Sequence, residues 1–402
     1  MSNALSSSAI PARKVWPLVV KTPILMTFFG GATVPTPLYP IYRADWQLSS
    51  LAITLVFAVY AMTLLAALLI AGSLSDHVGR RPVIFAALLI QSVAMVAFID
   101  ARGFAMLFAA RAVQGVATGL ATSALGAALV DVDRHAGPLI NSLAPLGGMA
   151  IGVAGAAALV DYAPEPMRLV YVVLLCLCLI EAVLIWLVPE AAHRRSGALM
   201  ALIPRIRVPA SARYALLALT PLNVATWMTG GFFMSLMPSI IKASLEADGA
   251  MVGGMVVAGL MLSGTLAVFM LRRFEPHAVL RLGGATMMLG LVLLVLGINL
   301  GNLAVLFGGT AATGIGLGCN FLGCVRSIMP LAAPSERAEL LAAYYVESYL
   351  AMSLPAVAAG TLAGFVGLPA TADIYGVVIF GLLVIGALAA RRLAPQPVLA
   401  RQ

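Results

Sequence analysis

The sequence predicts an all-α protein that crosses a membrane many times. Of its 402 residues, 62% are hydrophobic and only 10% are charged, whereas soluble domains carry roughly 25% charged residues. The apolar residues form runs of about 20, the length that an α-helix needs to cross about 30 Å of hydrocarbon. A chain of this composition has too little polar surface to cover a water-soluble fold, so we expect most of it to lie in lipid.

Twelve apolar runs are long enough to span a bilayer. The first follows Arg13 and Lys14, and its length indicates a retained helix rather than a cleaved signal. Each boundary carries a tolerance of about four residues. In chain order the predicted spans are 17–42, 50–74, 82–100, 103–130, 138–160, 167–188, 213–241, 250–271, 278–299, 302–330, 338–366 and 371–391.

The basic residues support this count. With both termini in the cytoplasm, 19 of the 24 Lys and Arg residues fall on the cytoplasmic side and one, Arg111, falls within a span. The other four are Arg43, Arg102, Arg168 and Lys242. This is the positive-inside pattern, so the net charge of +8 reflects topology and predicts no nucleic-acid partner. We expect a multi-pass protein of the cell inner membrane, with the lipid bilayer as its surroundings.

A basic, polar segment separates the sixth and seventh spans. It divides the chain into an N-terminal six-helix bundle (1–190), a cytoplasmic linker (191–212) and a C-terminal six-helix bundle (213–402). Two bundles around a central cavity are a common plan for carriers. Prolines within or at the ends of spans, among them Pro35, Pro37 and Pro238, are expected to kink helices and free carbonyl groups.

A signature loop lies between the second and third spans. It reads Gly72-Ser-Leu-Ser-Asp76-His-Val-Gly79-Arg80-Arg81-Pro82. This segment resembles the Gly-x-Leu-x-Asp-x-x-Gly-Arg-Arg/Lys loop of the major facilitator superfamily, and it falls in a predicted cytoplasmic loop, where the family has it. The resemblance covers nearly the whole chain when the twelve spans and the linker are included. It implies an all-α membrane fold of two pseudo-symmetric six-helix bundles around a central cavity.

The resemblance also implies a conformational latch in this loop. Its members would be Gly72, Asp76, Gly79, Arg80, Arg81 and, at the end of the fourth span, Asp131. Gly72 would allow close helix approach and Gly79 a turn with positive φ, while an acid and a base four residues apart are spaced to pair. The alternative interpretation is a simple positive-inside loop that stops a span.

The fourth span carries a second resemblance. Its Arg111-Ala-Val-Gln114-Gly115 is similar to an Arg-x-x-Gln-Gly pattern of the same family. A charge within a span costs roughly 2.5–3.5 kcal/mol on insertion scales, so we expect Arg111 to have a functional or structural role that offsets this cost. Either it faces the cavity, where it senses a proton or binds the solute, or it is a hydrogen-bonded anchor between helices.

Two departures from the family pattern limit the subgroup. The fifth span reads Ala144-Pro-Leu-Gly-Gly148 where drug-exporting members carry Gly-Pro-x-x-Gly-Gly, and the loop 271–277 lacks the Gly-Arg pattern of the first half. The nearest resemblance is to the drug:proton antiporter group with twelve helices. It implies efflux of amphipathic compounds coupled to protons, with proton-coupled uptake of an organic acid or amino-acid derivative as the alternative.

Glu347 is the first candidate for the group that carries the coupling proton, and Arg111 is the other residue predicted to take part in proton coupling. Glu347 lies about nine residues into the eleventh predicted span, where an acid is costly unless it is paired, protonated or wetted. The alternative is a salt bridge to Arg326 or another base at the end of the tenth span. Polar and aromatic residues on the helices that line the family's cavity complete the predicted solute site: Gln114, Tyr39, Asn223, Trp227, Asn320, Tyr344 and Tyr345.

The remaining chemistry of the sequence predicts no enzyme. The four histidines have no metal-ligand spacing, the four cysteines lie in apolar segments, and no phosphate-binding loop or nucleophile elbow is present. We therefore predict no catalytic residues, no metal and no cofactor. A polytopic membrane enzyme is the alternative from another class. The resemblance implies a monomer whose partners are a small-molecule substrate and protons.

Overall fold

The computed structural model describes residues 12–190, 204, 206–245 and 249–392, and within these ranges the regular structure is helical, with no strand. Short 3₁₀ turns lie at Thr36–Leu38, Ile185–Leu187 and Met329–Leu331. The α-helices are Ala12–Thr33, Tyr39–Asp45, Ser50–Ala71, Leu74–Val78, Arg80–Ile99, Phe104–Val132, Ala136–Tyr162, Pro166–Leu184, Ala210–Ser235, Met237–Leu245, Ala250–Leu271, Pro276–Asn299, Leu303–Ile328, Arg337–Val366 and Leu368–Arg391.

Singly or joined end to end, these elements form twelve spans that are long and apolar enough to cross a membrane. This confirms the predicted all-α fold and the number of spans. We number them spans 1 to 12 in chain order, from Val15–Asp45 to Leu368–Arg391. The observed boundaries agree with the predicted ones to within about four residues except in span 7. That span ends at Ser235, and a separate helix, Met237–Leu245, follows it.

Prolines explain the breaks in spans 1 and 7. The first helix ends at Thr33, and Pro35 and Pro37 follow in the next turn. Pro238 lies in the first turn of Met237–Leu245, where its missing N–H leaves no hydrogen bond unmade. Both breaks fall in the predicted positions. Most of the predicted linker, residues 191–203 and 205, lies outside the described residues, and the first helix after it begins at Ala210.

Glycines bring the helices of each half into close contact. In the N-terminal half, spans 1 to 6, Gly148 and Gly152 of span 5 lie against the backbone of span 1, and Gly115 of span 4 lies against span 2. In the C-terminal half, spans 7 to 12, Gly314 and Gly318 of span 10 lie against span 8. A Cβ at any of these positions would meet backbone atoms of the neighbouring helix. Helix packing in lipid depends on such small residues.

Hydrogen bonds between the two halves lie at one end of the described part of the molecule. We call the end that carries the 72–81 loop the motif end, and the other the opposite end. At the opposite end, the Asp161 carboxylate at the end of span 5 accepts hydrogen bonds from the amides of Ala250 and Met251, at distances of 2.8 and 2.9 Å. The Thr36 hydroxyl in span 1 donates to the carbonyl of Met234 in span 7 at 3.0 Å. Asp161 therefore caps the first turn of span 8 from the other half of the protein.

Apolar contacts close the same end. Span 11 approaches span 2 where Gly360 packs against Thr54 and the Ser50 carbonyl. These are residues from the first turns of span 2 and the last turns of span 11. Span 8 approaches span 5 where Gly254 packs against Ala157. The hydrogen bonds and the glycine contacts that join the halves thus lie together at the opposite end.

Asp161→Ala is expected to loosen the closure of the opposite end. Loss of an N-cap costs about 1 kcal/mol, which raises the open population about fivefold. Spin labels can be attached at the exposed positions Tyr162 and Phe365, one in each half, in a cysteine-free background. Double electron–electron resonance should then show a larger fraction of long distances between the two labels. Asp161→Asn keeps an acceptor oxygen and serves as the control with a smaller shift. Identical distance distributions for Asp161→Ala and the unchanged protein would contradict this role.

Candidate functional site

Arg80 joins three segments at the motif end. Its guanidinium pairs with Asp76 at 2.5 Å and with Asp131 at 3.1 Å, and it donates to the Ser75 hydroxyl at 2.6 Å. Arg80 is 9% exposed, so its charge is largely removed from water and these partners compensate for the lost hydration. The structure thus brings together Asp76, Arg80 and Asp131, which the sequence had proposed as members of the latch. This network lies within the N-terminal half.

Arg81 points to a different partner. Its guanidinium donates to the carbonyls of Trp186 and Val188 at 3.1 and 2.9 Å, at the end of span 6. Glu190 accepts from the backbone amides of Arg80 and Arg81 at 3.3 and 2.9 Å, so it caps the first turn of span 3. Sequence reasoning missed Glu190. A carboxylate just after a span, on the same side as two arginines, was the available signal.

The two glycines of the loop serve different purposes. Gly79 has φ 112° and ψ 153°, a conformation that residues with a side chain rarely adopt, and it joins helix Leu74–Val78 to span 3. Gly72 has φ −58°, so it needs no left-handed conformation. A Cβ at Gly72 would meet the carbonyl of Leu68 in its own span. The close approach expected there is therefore to its own helix, and no described residue of another helix lies within 4 Å of that Cβ position.

Arg111 and Gln114 satisfy carbonyl groups at the break in span 1. In an α-helix the Gly31 carbonyl would accept from residue 35, but Pro35 has no N–H. Gln114 Nε2 donates to that carbonyl at 2.9 Å, and Arg111 donates to the next one, of Ala32, at 3.0 Å. Arg111 also donates to Gln114 Oε1 at 2.7 Å. Span 4 thus supplies donors for the backbone groups that the break leaves unpaired.

Burial identifies Arg111 as an anchor between helices. Its side chain is 1% exposed, and its guanidinium lies over the ring of Tyr60 in span 2, 4.3 Å from the ring centroid. Arg111 Nε and the hydroxyls of Tyr39 and Tyr60 are buried in the same place. Spans 1, 2 and 4 therefore meet at one cation. Of the two interpretations that the sequence left open, these contacts favour the anchor.

Glu347 lies at the contact between spans 11 and 7. Thr220 donates to Glu347 Oε2 at 3.1 Å, and Asn223 donates to Oε1 at 2.9 Å and to the Ser348 hydroxyl at 3.1 Å. Glu347 is half-buried. Among the described residues it forms no ion pair, and Arg326 donates to the Phe274 carbonyl at 2.7 Å instead. Glu347 is therefore a carboxylate held by neutral donors, within the membrane-spanning region.

Aromatic rings follow Glu347 along the same two spans. Trp227 lies 5.2 Å from Tyr349, and Tyr345 lies 6.1 Å from Tyr349 and 5.8 Å from Tyr344 (centroid distances). Tyr349 belongs to the apolar cluster that also contains Tyr60 of span 2. The indole N–H of Trp227 and the hydroxyl of Tyr344 are buried and lie within hydrogen-bonding reach of each other. Among the described residues neither group has another partner, so the Tyr344 hydroxyl keeps hydrogen-bonding capacity for water or a solute.

The structure separates Asn320 from this group. Its amide donates to the Met287 sulfur at 3.4 Å, so the side chain faces span 9 within the C-terminal half. The predicted residues that lie with Glu347 are Asn223, Trp227, Tyr344 and Tyr345. In the other half, Arg111 has Tyr39 and Gln114 beside it.

Sequence reasoning missed Thr220, Ser348 and Tyr60. Hydroxyl groups and tyrosines occur in many spans, so only their position singles them out. No group of three metal-binding side chains occurs among the described residues.

Comparisons with known proteins agree on the type of fold. The model of the family described as the Major Facilitator Superfamily matches residues 22–227. A bacterial homolog of the human lysosomal transporter Spinster, solved in an inward-facing and unoccupied conformation, superposes with a TM-score of 0.74 at 15% identity, covering 97% of this chain and 100% of that one. A point mutant of the nucleoside transporter NupG gives a TM-score of 0.71 at 14% identity, with 94% and 100% coverage. No curated protein matches the sequence.

Arg111→Met is expected to destabilise the N-terminal half, because the Ala32 carbonyl and Gln114 Oε1 lose a donor in a buried site. Buried groups left unpaired cost about 1–3 kcal/mol. We expect the Tm in detergent to fall by roughly 5 °C. The control is Arg102→Met, an exposed arginine, which should leave the Tm unchanged. Equal Tm values for the two variants would contradict the anchor role.

Proposed function

Because the chain belongs to the Major Facilitator Superfamily, we propose that it is a secondary active transporter that moves a small organic solute by alternating access. We propose further that transport is coupled to protons and that it exports amphipathic compounds. The observation that carries this proposal is the set of hydrogen bonds that join the halves at the opposite end, together with Glu347 inside span 11. The two halves correspond to residues 1–190 and 213–402, joined by the linker 191–212.

The contacts between the halves support alternating access. The capping of span 8 by Asp161 and the Thr36 hydrogen bond close the opposite end, and the Arg80 network at the motif end stays within one half. A carrier exchanges two such arrangements around a site near the midplane. We assign the present arrangement to the state that is open at the motif end, and we place that end in the cytoplasm of the inner membrane, because 19 of the 24 basic residues belong to that side.

Glu347 is our candidate for the group that carries the coupling proton. A carboxylate within a span costs roughly 2.5–3.5 kcal/mol when ionised, and protonation removes that cost. Because its hydrogen bonds come from Thr220 and Asn223 rather than from a cation, no salt bridge among the described residues fixes its charge. Arg111 supports this role indirectly, as the anchor that holds the broken part of span 1.

The aromatic rings next to Glu347 support a solute with an apolar body. Trp227, Tyr345 and Tyr349 supply ring surface, and the Tyr344 hydroxyl next to them supplies a donor. Export of amphipathic compounds is the first candidate on this ground. Uptake of an organic acid or amino-acid derivative is the second, and the sign of the measured flux distinguishes the two.

Glu347→Gln is expected to abolish pH-driven flux while solute binding remains, because the amide keeps the shape of the side chain but carries no exchangeable proton. The measurement is flux in liposomes under an imposed pH gradient, with ethidium, an organic acid, an amino-acid derivative and a nucleoside as solutes. A thermal-shift assay of the purified protein measures binding. Glu339→Gln, in the first turn of the same span, is the matched control and should transport normally.

Two outcomes of this experiment count against the proposal. Normal pH-driven flux in Glu347→Gln would remove Glu347 as the proton carrier. An absence of gradient-dependent flux for every solute, with correctly folded protein, would remove the proposal that the chain is a proton-coupled carrier.

Asp76→Asn is expected to lower the maximal transport rate more than the apparent affinity. The change removes one of the two carboxylates that hold Arg80 and leaves the Glu347 region untouched, so it alters the exchange between states rather than solute contacts. Turnover and KM from initial rates in liposomes separate the two effects. Asp45→Asn, an exposed acid at the opposite end, is the control. Unchanged turnover in Asp76→Asn would show that the ion pair does not influence the conformational exchange.

A further inference from the structure

A cavity lies at the opposite end of the N-terminal half. Its volume is about 350 Å³, which falls within the range of ligand pockets. Three segments form its walls: the helix Tyr39–Asp45 with the residue after it, the turn between spans 3 and 4, and the turn between spans 5 and 6. The lining residues are Tyr42, Trp46, Phe98, Ile99, Ala101, Arg102, Glu165, Pro166, Met167 and Arg168. None of them belongs to the Glu347 or Arg111 groups.

Stacked aromatic rings make one wall of this cavity rigid. Tyr42 stacks on Trp46 with centroids 4.6 Å apart, and Phe98 stacks on Tyr171 at 4.5 Å. The hydroxyls of Tyr42 and Tyr171 lie 2.9 Å apart and share a hydrogen bond, which links the two stacks. Tyr42 and Phe98 are buried, whereas Trp46 is half-buried. Trp46 therefore presents most of the ring surface of this wall to the cavity, and the buried rings behind it hold it in a fixed geometry.

The other wall carries an unpaired positive charge. Arg168 lies 3.6 Å from Glu165 and forms an ion pair with it. Arg102 is exposed, and no hydrogen bond or ion pair involves it among the described residues. The lining thus has a net charge of +1 from two arginines and one glutamate. A guanidinium with free N–H groups binds phosphate or carboxylate in two-pronged fashion.

Two strained residues adjoin the same cavity. Gln47 and Glu165 have φ angles of 50° and 48°, and they are the residues other than glycine with positive φ in the described part of the chain. The left-handed conformation costs roughly 1–2 kcal/mol for such residues. Gln47 follows Trp46, and Glu165 lines the cavity directly. Strain of this kind clusters at ligand-binding positions, so it adds to the argument from the cavity and the free arginine.

We propose that this cavity binds an amphipathic phosphate. The apolar part lies against Trp46, Phe98 and Met167, and the phosphate group receives hydrogen bonds from Arg102. The site lies at the end of the spans, where Trp and Tyr side chains meet the membrane surface. A phospholipid of that leaflet and a free alkyl phosphate share this chemistry. The inference is independent of the transported solute and of proton coupling.

Native mass spectrometry of the detergent-solubilised full chain tests the proposal. The probes are dioleoylphosphatidylglycerol, dodecyl phosphate and dodecyltrimethylammonium, the last having the same chain as dodecyl phosphate without the phosphate. We expect tighter binding of dodecyl phosphate than of dodecyltrimethylammonium. Arg102→Ala should weaken binding of at least one phosphate-bearing probe about tenfold, as expected for the loss of a charged hydrogen bond. Lys242→Ala, an exposed base at the same end in the other half, is the matched control and should bind normally.

The arms of the experiment separate the two sources of phosphate. An Arg102-dependent loss for phosphatidylglycerol alone identifies a lipid site, a loss for dodecyl phosphate alone identifies a site for a free amphipathic phosphate, and a loss for both identifies a site that accepts either. Trp46→Leu, with a Tm equal to that of the unchanged protein, should weaken binding of the same probe. Equal binding of both phosphate-bearing probes by Arg102→Ala and Lys242→Ala would overturn the proposal.

Discussion

The structure depends on the need to pair every backbone polar group inside hydrocarbon, where no water is available to solvate it. The break in span 1 makes this requirement visible. Pro35 removes the amide that would pair with the Gly31 carbonyl, and Gln114 replaces it with a side-chain donor at 2.9 Å. Arg111 pairs with the next carbonyl and stacks on Tyr60. Buried side chains of span 4 thus compensate for the backbone hydrogen bonds that are lost at the proline break in span 1.

The same requirement sorts the charges of the protein into three kinds. Arg80 is largely buried but is paired with two carboxylates at the motif end. Arg111 is buried and is surrounded by carbonyl oxygens and an aromatic ring. Glu347 has neutral donors and no counter-charge among the described residues. The first two charges are compensated permanently and hold helices together, whereas the charge of Glu347 depends on its protonation. That difference is why we assign proton exchange to Glu347 rather than to Arg111.

The sequence was sufficient for the fold because lipid imposes a length and a polarity on every span. The Gly72–Arg81 loop also predicted the pair of Arg80 with Asp76, since an acid and a base four residues apart meet locally. Asp131 lies 51 residues from Arg80, and only the resemblance to the family had grouped it with them. The sequence could not show which neighbouring helix Asn320 faces, because the inward face of a helix is not defined in a span that is apolar on all sides. Glu190 and Thr220 were missed for a related reason: their partners lie more than 100 residues away, and only packing brings them together.

The two ends of the molecule differ in how easily their contacts are exchanged. At the opposite end, two amides of span 8 and the Thr36 hydroxyl join the halves, and each hydrogen bond contributes about 1 kcal/mol net. Hydrogen bonds of this size lie in the range that a ligand with unequal affinity for two states can exchange. At the motif end the charged groups pair within one half, so separating the halves there leaves the Arg80 ion pairs intact. Two halves joined at one end by a few hydrogen bonds and by apolar packing are the physical condition for motion about the Glu347 region.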